Sequence, residues 1–191
     1  MELVLWSCFR LTQTIIKKKE CYLSSTRKAS SRSLSHLHED FMMLTKNDYY
    51  DIACNSLCYL QAALGSEYYN DITSHAAWVA ECMLKSIAER VCTDVDKLMH
   101  THNLRGIYDA IHRIRPDFNL DRGALSMLKD FYFDAKYPGD NYVIVDRETC
   151  EECLATMYDC IREVHKIREE LGLENHSIKE KMLEPVQMNL F

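Results

Sequence analysis

From Thr45 to Gly172 the apolar residues of this chain return every three or four positions, and no stretch of useful length alternates with the two-residue period of a half-buried strand. That single pattern excludes a sheet-based core. Tyr49, Ile52, Ala53, Leu57, Leu60 and Leu64 line a first helical face, with Thr45 or Asn47 as its cap and Gly65 as its stop. Ile72, Ala76, Val79, Met83, Ile87 and Val91 line a second. After a polar break, TDVDK, a third face carries Leu104, Ile107, Tyr108, Ile111 and Ile114 and ends before Pro116. A fourth helix runs from about Leu120 to Ala135, with Leu125, Leu128, Phe131 and Tyr132 turned inward. In the last and longest, Asp146 is the N-cap, Gly172 the terminator, and Cys150, Cys153, Leu154, Met157, Ile161, Val164 and Leu171 form the stripe. Five Gly and three Pro in 191 residues leave little material for tight turns. Short links between helices favour antiparallel neighbours, so the expected fold is all-α, a five-helix up-and-down bundle.

The ends of the chain are different material. Residues 1–38 hold seven Lys and Arg against Glu2 and Glu20, a net +5, so the −6 of the whole chain leaves −11 for residues 39–191. The acidic majority argues against general nucleic-acid affinity. Residues 1–44 read as a basic, Ser/Arg-rich arm, with the composition of a transit peptide or a disordered segment, or as sequence ahead of a later start at Met42 or Met43. Residues 45–172 form the helical domain and 173–191 a tail, polar until MLEPVQMNLF, whose apolar end could dock on the body or on a partner. No apolar run reaches the ~18–20 residues of a membrane span. Nine cysteines, an odd number lying mostly in helical patterns, indicate a reducing cytoplasm in which thiols serve as small core residues. The pair in CEEC, Cys150 and Cys153, has the spacing of metal ligands but no matching second pair, so no metal site and no cofactor are expected.

Three local patterns lie in order on this scaffold: HAAWVAECMLKSIAERV at 75–91, THNL at 101–104, and DAKYPGDNY at 134–142. Together with the long final helix they resemble the HEPN family, whose members show a helix of the form A-x-x-A-E-x-x-L-K, then T-H-D/N-L, then A-R-Y-P at a helix end. Ala77, Ala80, Glu81, Leu84 and Lys85 match the first, Thr101 to Leu104 the second, and Ala135 to Pro138 the third, with Lys136 in place of Arg. The resemblance covers about residues 47–172. It implies a helical bundle, usually a homodimer. Some members are metal-independent ribonucleases, often toxins paired with a small nucleotidyltransferase. Others lack the catalytic residues and bind nucleotides, RNA or proteins.

The ribonuclease branch carries Arg, four to six residues, then His, near the start of the final helical region. Here Lys136 stands at the Arg position, Tyr142 follows six residues later, and no His occurs from Tyr137 to Asp146. Lys lacks the bidentate fork of Arg, and Tyr, with a pKa near ~10, is a poor general base at neutral pH. The resemblance therefore implies a non-catalytic module binding a nucleotide, RNA or protein partner, with a separate nucleotidyltransferase as a further partner. The alternatives are a ribonuclease toxin, acting through a degenerate Lys136/Tyr142 pair or through Arg105 and His112, and a purely structural interaction module. Arg105 and His112 match the motif by spacing, yet they follow THNL, out of the family's order.

The expected phosphate site is Lys136, Tyr137 and Tyr142, with Lys85, Glu81 and His102 behind them. Each has a plainer account. Glu81 and Lys85 have the i, i+4 order of an ordinary helical ion pair. His102 or Thr101 could simply tie down the next helix. Pro138 and Gly139 need only a turn, and Lys136 suits the negative end of a helix dipole. Trp78 and the tyrosines read as core or dimer interface, with base stacking as the other use.

Overall fold

The computed structural model describes residues 48–136, 139–140 and 142–184. The described residues form six helices and no strand: α1 (Tyr49–Ala63), α2 (Tyr69–Val91), α3 (Val95–Met99), α4 (Leu104–Ile114), α5 (Arg122–Asp134) and α6 (Arg147–Glu170). The helical bundle is as expected. The count of five is corrected to six by α3, a five-residue helix inside the polar break. Its Val95, Leu98 and Met99 have helical i, i+3, i+4 spacing, and Leu98 and Met99 pack against the core, but a five-residue run is too short to stand out from the polar break.

Short polar side chains start these helices. Asp48, Asn103 and Asp146 each accept from a backbone N–H three residues on, at 2.8, 3.2 and 2.8 Å. Asp48 replaces the expected cap of α1; Thr45 and Asn47 lie outside the described residues. Gly65 does not stop α1 through a left-handed turn, because Gly172 is the only described residue with that geometry, at φ 69°. Instead, a Cβ on Gly65 would stand 3.3 Å from the Glu184 carboxylate. Gly172 closes α6 as expected: its N–H reaches the Glu169 carbonyl and the Leu173 N–H reaches the Arg168 carbonyl, the paired bonds of a Schellman motif.

α2 is the centre of the domain and packs against every other helix. Every residue from Val79 to Ala88 is buried, so the expected single stripe became burial around the whole circumference. The core otherwise follows the predicted faces, with Leu57, Leu60, Ile72, Met83, Ile87, Leu125, Leu128, Met157 and Val164 among its members. Ile114 and Leu171 are corrections: each ends its helix at the rim, 47 and 43% exposed. Cys150 and Cys153 are buried in α6, and burial pushes the Cys153 thiol up to about 12, the behaviour of packing residues. No described helix is long and apolar enough to cross a membrane.

Residues 173–184 run back over α1 and α6. The Tyr50 hydroxyl accepts from the His176 N–H at 2.8 Å, and the Tyr158 hydroxyl accepts from the Lys181 N–H at 2.9 Å. Leu183 is buried; residues 185–191 of the expected apolar end lie outside the described residues. The Arg168 guanidinium lies 3.4 Å above the Tyr50 ring and donates to the Glu174 carbonyl. Tyr50 in turn bonds His165 Nε2 at 3.0 Å.

Burial, then Arg168, hold the His165 imidazole below its ordinary value, so the unfolded chain binds the extra proton more readily than the fold does. Stability from this site is complete above about pH 6.5 and falls as the pH drops through the depressed value. Urea midpoints at pH 8 and pH 5.5 should therefore differ more for the wild type than for His165→Gln. An equal difference in both proteins would contradict the assignment.

Candidate functional site: a cavity between α2 and the end of α5

Ser74, His75 and Trp78 occupy consecutive turns of one α2 face, and Glu81 and Lys85 continue that helix toward α3. The residues after α5 come to this face because Asn70 holds them there. Asn70 Nδ2 donates to the carbonyls of Ala135 at 3.0 Å and Val143 at 2.7 Å, and Asn70 Oδ1 accepts from the Val145 N–H at 2.9 Å. One amide side chain thus pins both ends of the AKYPGDNY connection to α2. Tyr142 lies on this latch, its hydroxyl 3.4 Å from Asn70 Nδ2.

The latch leaves a cavity of about 300 Å3, lined by Ser74, His75 and Trp78 from α2 and by Tyr132 and Lys136 from the α5 side. Its volume is at the lower end of the range for small-molecule sites. Lys136 Nζ stands 5.4 Å from the centroid of the Tyr132 ring, a cation–π distance. The Trp78 and Tyr132 rings stack with centroids 6.5 Å apart. The wall therefore combines a cation with two large π-faces.

Behind it lies a charge network. Glu81 and Lys85 are 2 and 3% exposed and meet at 2.8 Å. Lys85 Nζ also donates to the Met99 carbonyl of α3 at 2.8 Å, which explains why a five-residue helix forms where it does. His102 Nδ1 stands 3.0 Å from Glu81 Oε2 and 3.2 Å from Oε1. The carboxylate has no proton to give, so Nδ1 is the donor. The His102 ring then stacks on Tyr132, centroids 5.6 Å apart and 15° from parallel. A continuous path runs from the buried ion pair through His102 and Tyr132 to Lys136.

The structure thus joins Glu81, Lys85, His102 and Lys136, and it places Tyr142 on the latch outside the cavity lining. Tyr137 lies outside the described residues. Glu81 and Lys85 form the helical i, i+4 ion pair of the plainer account, and the structure adds that the pair is buried. Arg105 is exposed on α4. His112 Nδ1 donates to the Phe118 carbonyl at 2.7 Å and its ring packs on Tyr108, an occupation that ties α4 to the segment after it. Ser74, His75 and Asn70 are not among the site residues the sequence marks, and Trp78 and Tyr132 are marked first as core or dimer interface. Tyr132 and Trp78 carry the same apolar signal as the core, and the lone Asn70 carries none.

Among the described residues no group of three or more His, Cys, Asp or Glu side chains could hold a metal ion. Comparison with curated proteins and with solved structures gives no match. A family model described as HEPN domain matches residues 46–168, from just ahead of α1 to the last turn of α6 and across the whole cavity. The match spans most of a chain that folds as a helical bundle, and the chain belongs to the HEPN family.

Proposed function

We propose that this HEPN domain binds a nucleotide, or the equivalent unit of an RNA strand, at the Lys136 cavity and does not cleave it. The observation that carries the reading is the Lys136 ammonium beside Tyr132 in a cavity also walled by Trp78. A cation neutralises phosphate, and aromatic faces accept a base of any sequence. The buried Glu81–Lys85 pair, acting through His102, keeps Tyr132 in place, so the wall is pre-formed. The acidic balance of the chain limits the contact to one local cation and disfavours extended binding along a phosphate backbone. The protein acts as a homodimer, with a separate nucleotidyltransferase as its protein partner, in the reducing cytoplasm. A purely structural interaction module would show no nucleotide binding at all.

One observation favours the ribonuclease reading, and it concerns His102. A buried carboxylate holding Nδ1–H is the arrangement that orients an imidazole for proton transfer. In that reading a ribose 2′-hydroxyl attacks the adjacent phosphate, His102 takes its proton, Lys136 faces the developing charge, and the P–O5′ bond breaks to give a 2′,3′-cyclic phosphate and a 5′-hydroxyl protonated from water. The test is incubation of the full chain with end-labelled single-stranded RNA in EDTA, beside His102→Ala and His112→Ala. Intact RNA in all three is the expected result. Cleavage by the wild type that disappears in either variant would make the protein an enzyme.

A further inference from the structure

Two side chains of the cavity are set as proton acceptors by a single backbone oxygen. The Ser74 hydroxyl, buried at 4% exposure, lies 3.1 Å from the Asp71 carbonyl and donates its proton there. His75 Nδ1 lies 2.9 Å from the same carbonyl. A carbonyl oxygen has no proton, so Nδ1–H is the donor, and in the neutral ring Nε2 keeps its lone pair. The Tyr59 ring packs against His75 with centroids 5.0 Å apart, which restrains the imidazole in this orientation. Both residues line the cavity with one proton directed at the Asp71 carbonyl, so each is set to accept a hydrogen bond from a ligand.

We propose that the cavity selects a nucleotide whose base carries an exocyclic amino group, as adenine and cytosine do, over one with a carbonyl at that position. The amino hydrogens go to Ser74 Oγ and His75 Nε2, and the phosphate goes to Lys136. The selection rests on the nucleotide-binding reading above and on the donor and acceptor pattern of the bases. A 6-oxo purine would set the O6 lone pairs against these acceptors, and its one neighbouring donor, N1–H, could satisfy only one of them.

Calorimetric titration of the full chain with adenosine 5′-monophosphate and inosine 5′-monophosphate tests this directly, because the two differ only on one edge: a 6-amino group beside a bare N1 against a 6-oxo group beside N1–H. The expected result is a preference of about ten-fold for the adenine nucleotide, the worth of one neutral hydrogen bond. His75→Ala, at a half-buried position that does not build the core, should largely erase that preference. Equal affinities in the wild type, or an undiminished preference in His75→Ala, would overturn the selection and leave nucleotide binding standing. Binding of neither nucleotide would overturn the nucleotide reading itself.

Discussion

Glu81→Ala is expected to destabilise the domain by about 3–5 kcal/mol, the cost of leaving a buried charge without its partner. Lys85 is 3% exposed, and without Glu81 its ammonium keeps the Met99 carbonyl at 2.8 Å and the Tyr49 ring at 5.4 Å, but no carboxylate among the described residues. A 100–150-residue domain has a net stability of only about 5–15 kcal/mol, so the variant would be close to unfolded under ordinary conditions. The companion double variant, Glu81→Met with Lys85→Met, should recover most of the loss. It removes both charges together and fills the same space with apolar atoms. His102 is 46% exposed, so water can take over its Nδ1 proton. Urea denaturation of the three proteins reads the effect as a shift of midpoint at constant slope. A loss under about 1 kcal/mol in the single variant is the behaviour of a solvated surface pair and would contradict this burial.

The same pair shows where sequence reasoning reaches its limit. Spacing of i, i+4 establishes that two side chains can meet on a helix, but not whether water surrounds them. Glu81 and Lys85 are buried because α2 is covered on all sides and because α3 supplies a carbonyl to the ammonium. α3 itself left only the short trace of Val95, Leu98 and Met99 in the apolar pattern. The helical faces were legible for the opposite reason: Leu57, Met83, Leu125 and Val164 each pack in a core whose period their positions follow. Asp146 and Gly172 were legible because helix ends demand particular chemistry, a side-chain acceptor at one end and a left-handed residue at the other.

The site was legible in part. Order and spacing of the three motifs marked Glu81, Lys85, His102 and Lys136, and the fold brings them onto one path. What that reading lacked was the contribution of residues whose role depends on distant partners. Tyr132 has the same hydrophobic signature as a core residue, yet at the end of α5 it becomes the wall between His102 and Lys136. Asn70 determines where that wall stands, through bonds to Ala135, Val143 and Val145 that lie 65 to 75 positions away in the chain. No local pattern announces such a residue. His75 and Ser74 gain their meaning only from the Asp71 carbonyl that takes both of their protons.

Binding of a nucleotide at Lys136 is the central claim, and titration of the full chain with adenosine 5′-monophosphate, beside Lys136→Ala, tests it most directly. Lys136 is exposed, so urea denaturation of Lys136→Ala beside the titration separates a lost ligand contact from a lost fold. A charge-assisted contact to phosphate is worth about 1.5–3 kcal/mol, so affinity should fall roughly ten- to a hundred-fold, with Lys136→Arg retaining much of it. Saturable binding by the wild type, weakened to that extent in Lys136→Ala, is the predicted result. The absence of binding in the wild type, or binding that Lys136→Ala leaves untouched, would contradict it.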